Sequence, residues 1–165
     1  MTFDAEDLVD SIYELMTEGD ALNLKIAAID VEKSAGGKEL TPNLAPIGES
    51  SYHLQSWSDK VLQKTPAIFY GIEDTQTTDG GGTSSITYKI FVEIILLDAG
   101  QTNDTHRRIN RYSRALKELF QEKFSSVQGH GKIKIDTVRP IAFKLQLDSD
   151  DEIKVGGVSL TISLA

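Results

Sequence analysis

The chain has 165 residues, 39% of them apolar and 25% charged, with no cysteine and a net charge of −8. That length can bury a core without cross-links, and the missing thiols exclude a disulfide framework, a cysteine nucleophile and a cysteine zinc site. The negative balance argues against free DNA or RNA as the main partner, because a phosphate binder needs a basic footprint. No apolar run approaches the roughly 20 residues that a bilayer-spanning helix requires, so no membrane is expected. Asp4, Glu6, Asp7 and Asp10 give the start of the chain the wrong charge for a signal peptide, and the expectation is a protein made and assembled inside the cell.

Residues 4–17 read as a helix, with Leu8, Ile12, Leu15 and Met16 as the apolar stripe and Asp4 as N-cap. Gly19-Asp20 ends it and caps a second helix, whose stripe of Leu22, Ile26 and Ile29 runs to about Lys33 before Ser34-Ala-Gly-Gly37 stops it, with one kinked helix as the alternative. The helical N-terminal segment is thus 4–33. Residues 34–65, with Pro42 and Pro46, form an irregular loop in which Leu54, Trp57, Val61 and Leu62 suit a short helix, or Tyr52–Gln55 a brief strand. A loop of that length inside a compact domain is often functional.

A hairpin follows over 66–98. Pro66–Glu73 is its first strand, Thr75–Ser85 with Gly80, Gly81 and Gly82 is a long hairpin loop, and Ser85–Gly100 contains the second strand. Tyr88, Ile90, Val92, Ile94 and Leu96 share one face of that strand, while Phe91, Ile95 and Leu97 occupy the other. One set packs on the helices of its own domain; the other needs the N-terminal helices, the long loop or a second subunit, which makes Phe91 and Ile95 candidate interface residues. A helix over 103–125 has the stripe Ile109, Tyr112, Leu116, Leu119, Phe120 and Phe124, with Asn103 or Thr105 as cap and Gly129 near its exit. The last hairpin, 132–165, is expected to bend or bulge at Arg139-Pro140, turn at Asp148–Glu152 and bulge at Gly156-Gly157, where the apolar alternation shifts. The order predicts one α+β domain over 1–165: a four-stranded, largely antiparallel sheet with helices on one face.

Chemistry finds little support. His53, His106 and His130 are scattered without metal-ligand spacing, and Asp148–Glu152 lacks the glycine and distal glutamate of a calcium loop. Gly80–Ser85 enters a strand rather than a helix and has no following lysine, unlike a phosphate cradle. No nucleophile elbow is present and no carboxylate pair stands out as a general acid and base, so no enzyme, no cofactor and no metal are expected. Charge placement is more informative. Phe3–Asp20 carries seven acids and no base, whereas His106–Lys117 carries Arg107, Arg108, Arg111, Arg114 and Lys117 and no acid. Either alone suits a solvated helix face, but one helix of each sign in a small domain suits docking between copies. The candidate contact residues are therefore Arg107, Arg108, Arg111 and Arg114, the tip Gly80, Gly81 and Gly82, and Phe91 and Ile95.

Leu22–Ile29, Phe69–Ile72, Arg107–Leu116 and the closing strand Val155–Leu164, in this order and chain length, resemble tail-terminator (tail-completion) proteins of tailed bacteriophages. The resemblance spans most of the chain and carries no catalytic motif. It implies a structural virion protein of the tail or neck, assembled in the bacterial host cytoplasm as a homo-oligomeric, hexameric ring. Such a ring caps the tail tube, meets the head connector and neck proteins, borders the sheath where the tail is contractile, and lets DNA pass without binding it specifically. Head-completion (connector or stopper) proteins share parts of this plan and remain an alternative. A cytosolic ligand-binding or regulatory domain is the alternative from another class.

Overall fold

The computed structural model describes residues 4–40, 43–55, 64–98, 103–123, 127–128, 133–146 and 152–164. Helix α1, Ala5–Thr17, begins at a capping box: the Asp4 carboxylate accepts the Glu6 and Asp7 backbone N–H groups, and Asp7 returns a bond to the Asp4 N–H. It ends in a single turn of 3-10 helix, Glu18–Asp20, where Gly19 and Asp20 both adopt positive φ. Helix α2, Ala21–Ala35, starts directly afterwards, so the break expected at Gly19-Asp20 separates two helices. Asp20 stands at the N-cap, but its carboxylate takes the Asn23 side-chain amide and caps no backbone N–H.

The sheet comprises β1 (Tyr52–Leu54), β2 (Ala67–Gly80), β3 (Thr83–Asp98), β4 (Val127–Gln128), β5 (Ile133–Gln146) and β6 (Glu152–Leu164), with helix α3 (Asn103–Glu122) between β3 and β4. The spatial order is β1-β2-β3-β6-β5-β4. The expected four antiparallel strands are its centre, but the expected count is too low. β1 adds in parallel beside β2, and β4 adds antiparallel beside β5, making the sheet mixed and six-stranded. Both additions are two or three residues long, too short for an alternating pattern to announce them.

Two further expectations are corrected. The long hairpin loop is mostly strand: β2 and β3 stay paired as far as Gly80↔Thr83, and only Gly81 and Gly82 turn, at φ 61° and 86°. Positive φ at both turn positions matches the twist of the flanking strands, and the threonines before it suit an extended ribbon. The bulge is not at Gly156-Gly157, where β6 keeps one register with β3 from Thr87↔Ser163 to Asp98↔Glu152. Nor does Pro140 break register; it pairs with Val158 on a strand whose outer side meets only the short β4 among the described residues. The register shifts fall instead at Ile72/Asp74 in β2 and Ile135/Thr137 in β5.

The apparent change of alternation in β6 has another cause: both faces of the sheet are apolar. Val158, Leu160 and Ile162 join Tyr88, Ile90, Val92 and Ile94 under the helices, while Ile153 and Val155 join Ala67, Phe69 and Ile95 on the opposite face. α3 lies across β6, β5 and β3, α2 packs on α3, and α1 sits against β2. Gly156 lets α3 approach: a Cβ there would overlap the Ser113 hydroxyl and press on Ile109. Gly157, at φ 136°, would drive a Cβ into the Val92 carbonyl of β3. Trp57, Val61, Leu62, Phe124, Gly129, His130, Lys132 and the turn 148–151 lie outside the described residues.

Candidate assembly interface

The four arginines singled out on α3 have separate fates, because a helix places successive residues about 100° apart. Arg111 is 5% exposed. Its Nη1 lies 2.8 Å from Asp30 Oδ1 on α2, and its Nη2 donates to the Lys38 carbonyl. Asp30 also accepts the Leu44 N–H at 3.3 Å. Tyr112 donates to the Ala45 carbonyl at 2.7 Å, and Asn23 exchanges two bonds with the Ile47 backbone at 2.7 and 3.0 Å. Together they fasten the loop after α2 onto both helices. Burial pushes the Tyr112 hydroxyl well above its ordinary range, so it stays a donor.

Arg114 grips α2 in a bidentate pair with Glu32, at 2.9 and 2.8 Å, and takes Glu118 at 2.6 Å. The hydrogen bond from Arg114 holds the Glu32 carboxyl below its usual range. Arg108 is half-buried and lines a crevice of about 170 Å³ with Thr65, Pro66, Leu96 and Tyr112. Arg107 is exposed. The basic face read from the sequence therefore divides: Arg111 and Arg114 bind within the fold, and Arg107 faces solvent.

Ile95 is fully buried within its own chain, beside Phe69, Ile153 and Val155, and half-buried Phe91 lies on that cluster with its ring over Gly71. His53 of β1 stacks on Phe69 with ring centroids 4.7 Å apart. Half-buried Glu93 shares this face, and desolvation, followed by the charge of Glu73, raises its pKa. Gly80, Gly81 and Gly82 cap a ribbon exposed from Glu73 to Gly80 on β2, through the turn at Gly81 and Gly82, and from Ser84 to Ile86 on β3.

One surface escaped the sequence reading. α2 carries a second apolar stripe, Leu24, Ala27, Ala28 and Val31, turned away from the core, with Leu24 63% and Val31 70% exposed. Its spacing of i, i+3, i+4 and i+7 is that of a packed helix face, and it was readable once Leu22, Ile26 and Ile29 had been set apart. Leu24 and Ala28 border an open groove of about 500 Å³, lined also by Leu15, Ala21, Leu119 and the Lys25–Glu122 ion pair. Among the described residues, no cluster of histidine and carboxylates could hold a metal, and no helix is long and apolar enough to cross a membrane.

No family model matches the chain, and no curated protein matches it. Among solved structures it is similar to a chain of a particle described as "Virion of native gene transfer agent (GTA) particle", at 10% identity and a TM-score of 0.43, over 88% of this chain and 93% of that one.

Proposed function

We propose that this chain is a structural virion protein of a phage-like particle that forms a ring capping the tail tube and joining it to the head connector. The observation that carries the reading is the β2–β3 ribbon. Residues 73–82 and 84–86 stand exposed, and a two-stranded ribbon is marginal in water unless something packs on it. The outward stripe of α2 adds an apolar surface fit for contact. The station at the end of the tail, and a ring of six, follow from the resemblance in Leu22–Ile29, Phe69–Ile72, Arg107–Leu116 and Val155–Leu164. Partners on this reading are further copies of the chain, the tail tube protein and neck proteins, with the sheath added in a contractile tail. DNA passes through the ring without specific contacts.

Electron microscopy of the purified protein mixed with tail tubes tests this. Rings seated on tube ends support a terminator. Rings that bind connectors and ignore tubes support a head-completion protein. A monomer that binds neither overturns the virion reading and favours a ligand-binding domain using the groove between α2 and α3.

A further inference from the structure

Helix α2 is apolar on two opposite sides, one in the core and one in the open. Leu22, Ile26 and Ile29 enter the core, while Leu24, Ala28, Val31 and Ala35 are turned outward and exposed. Leu24 and Val31 are the two most exposed large apolar side chains among the described residues. They lie seven residues apart, about 10 Å along the helix, with the exposed Ala27 and Ala28 between them. The two ends of this stripe differ in shape. At the Leu24 end lies the groove of about 500 Å³, walled by Leu15, Ala21 and Leu119. At the other end Val31 projects, 70% exposed. Charge also changes sign along the stripe, on the flank of α2 towards α3. Lys25 pairs there with Glu122, and two turns later Glu32 takes Arg114. Glu18 and Lys123 at the groove's mouth have opposite signs and leave its balance neutral.

We infer that two copies of this chain pack α2 against α2, antiparallel, about a two-fold axis beside Ala28. Each copy then seats its Val31 in the groove beside the other's Leu24, and the small alanines let the two helices approach at the centre. A two-fold axis across the stripe reverses the direction of the helix but keeps its flank. Lys25 of each copy therefore comes beside Glu32 of the other, joining the in-chain ion pairs into an alternating series of Glu122, Lys25, Glu32 and Arg114 across the junction. A parallel contact would instead set Lys25 against Lys25 and Glu32 against Glu32, which like-charge repulsion opposes. The occupant is a second copy because one surface holds both the projection and the groove, and both signs of charge, in the order that its own antiparallel copy matches. The contact goes beyond the ring reading. An isologous pair closes on itself and cannot propagate a ring, so ring assembly still falls to other surfaces, the ribbon first among them.

Sedimentation of the full chain at rising concentration and low salt tests it. The wild type should form the dimer, whereas Val31→Asp, at an exposed position, should stay folded by circular dichroism and remain monomeric. Lys25→Glu and Glu32→Lys each place like charges at both ends of the junction, and each alone should dimerise about tenfold more weakly than the wild type. Mixed in equal amounts they should pair to within about threefold of the wild type, because both ends again join opposite signs. The in-chain pairs that each variant has lost stay lost in the mixture, so recovery reports the junction alone. The chain has no cysteine, so Leu24→Cys and Val31→Cys can be mixed and oxidised; they should link to each other and neither to itself. If a charge variant fails to fold, the cysteine pair reads the same contact. A wild type that stays monomeric, a Val31→Asp variant that assembles as the wild type does, or a mixture no stronger than its parts overturns the inference and leaves rings on tail tubes untouched. Leu24→Cys that links to itself as readily as to Val31→Cys overturns the antiparallel arrangement.

Discussion

Arg111 shows how one side chain can be misassigned by its neighbours in sequence. Four arginines within eight residues suggest a basic surface, yet Arg111 points into the fold at Asp30 and the Lys38 carbonyl. Removing it strands a carboxylate whose side chain is only 13% exposed. Arg111→Ala should therefore cost about 3–5 kcal/mol, whereas Arg107→Ala, at an exposed position, should stay within about 0.5 kcal/mol, both measured by urea denaturation. Pairing Arg111→Met with Asp30→Asn removes the stranded charge and should recover part of the loss. Glu93 gives a second expectation. Desolvation and then Glu73 raise its folded-state pKa, so its contribution to stability is present below the ordinary glutamate range and is lost as pH rises through the raised value. Glu93→Gln should accordingly melt higher than the wild type at neutral pH, with the gain fading below about pH 4.3. A lower melting temperature at neutral pH would show that the carboxylate is held by favourable contacts.

At the scale of elements, the packing of α3 on β6 turns on one absent methyl group. A Cβ at Gly156 would overlap the Ser113 hydroxyl and press on Ile109, so Gly156→Ala should cost about 1–3 kcal/mol. Adding Ser113→Ala or Ser113→Gly should restore part of that, and no recovery would mean that the helix shifts freely. The same glycine shows how far the sequence could be read. The three helices and four long strands announced themselves through period and caps: Asp4, Gly19 and the stripe Ile109–Phe120 stand where their chemistry requires. The bulge at Gly156-Gly157 was misread because the change from Ile153 and Val155 to Val158 and Leu160 looks like a slip of register. It reports two clusters on opposite faces of one straight ladder, and a strand covered on both sides loses the alternation that identifies a face. β1 was legible only as one of two alternatives, since a parallel edge strand of three residues has no hairpin signal. For the candidate interface, charge was legible but direction was not. Which of Arg107, Arg108, Arg111 and Arg114 faces solvent depends on where α2 lies, and no local pattern records that.

The whole molecule separates what folds it from what it offers to others. The core lies beneath the helices and in the small cluster around Ile95, whereas the ribbon beyond Ile72 contributes no residue to either core except Tyr88 at its root. Its outer part should therefore be removable. Gln76 and Thr87 face each other across the ladder, so replacing Thr77–Ile86 by Asn-Gly closes a two-residue hairpin at that rung with the backbone twist the strands require. The shortened protein should keep its circular dichroism and its stability within about 1 kcal/mol, because the described side chains it loses are exposed. It should also lose assembly, since among the described residues the ribbon is the one long extension that could reach a neighbour. Native mass measurement beside a urea melt reads both outcomes. A truncated chain that unfolds would show the ribbon to be part of the folding unit, and one that assembles as well as the wild type would leave α1 and α2 as the joining surfaces. Stability retained with assembly lost is the combination that only a docking role produces.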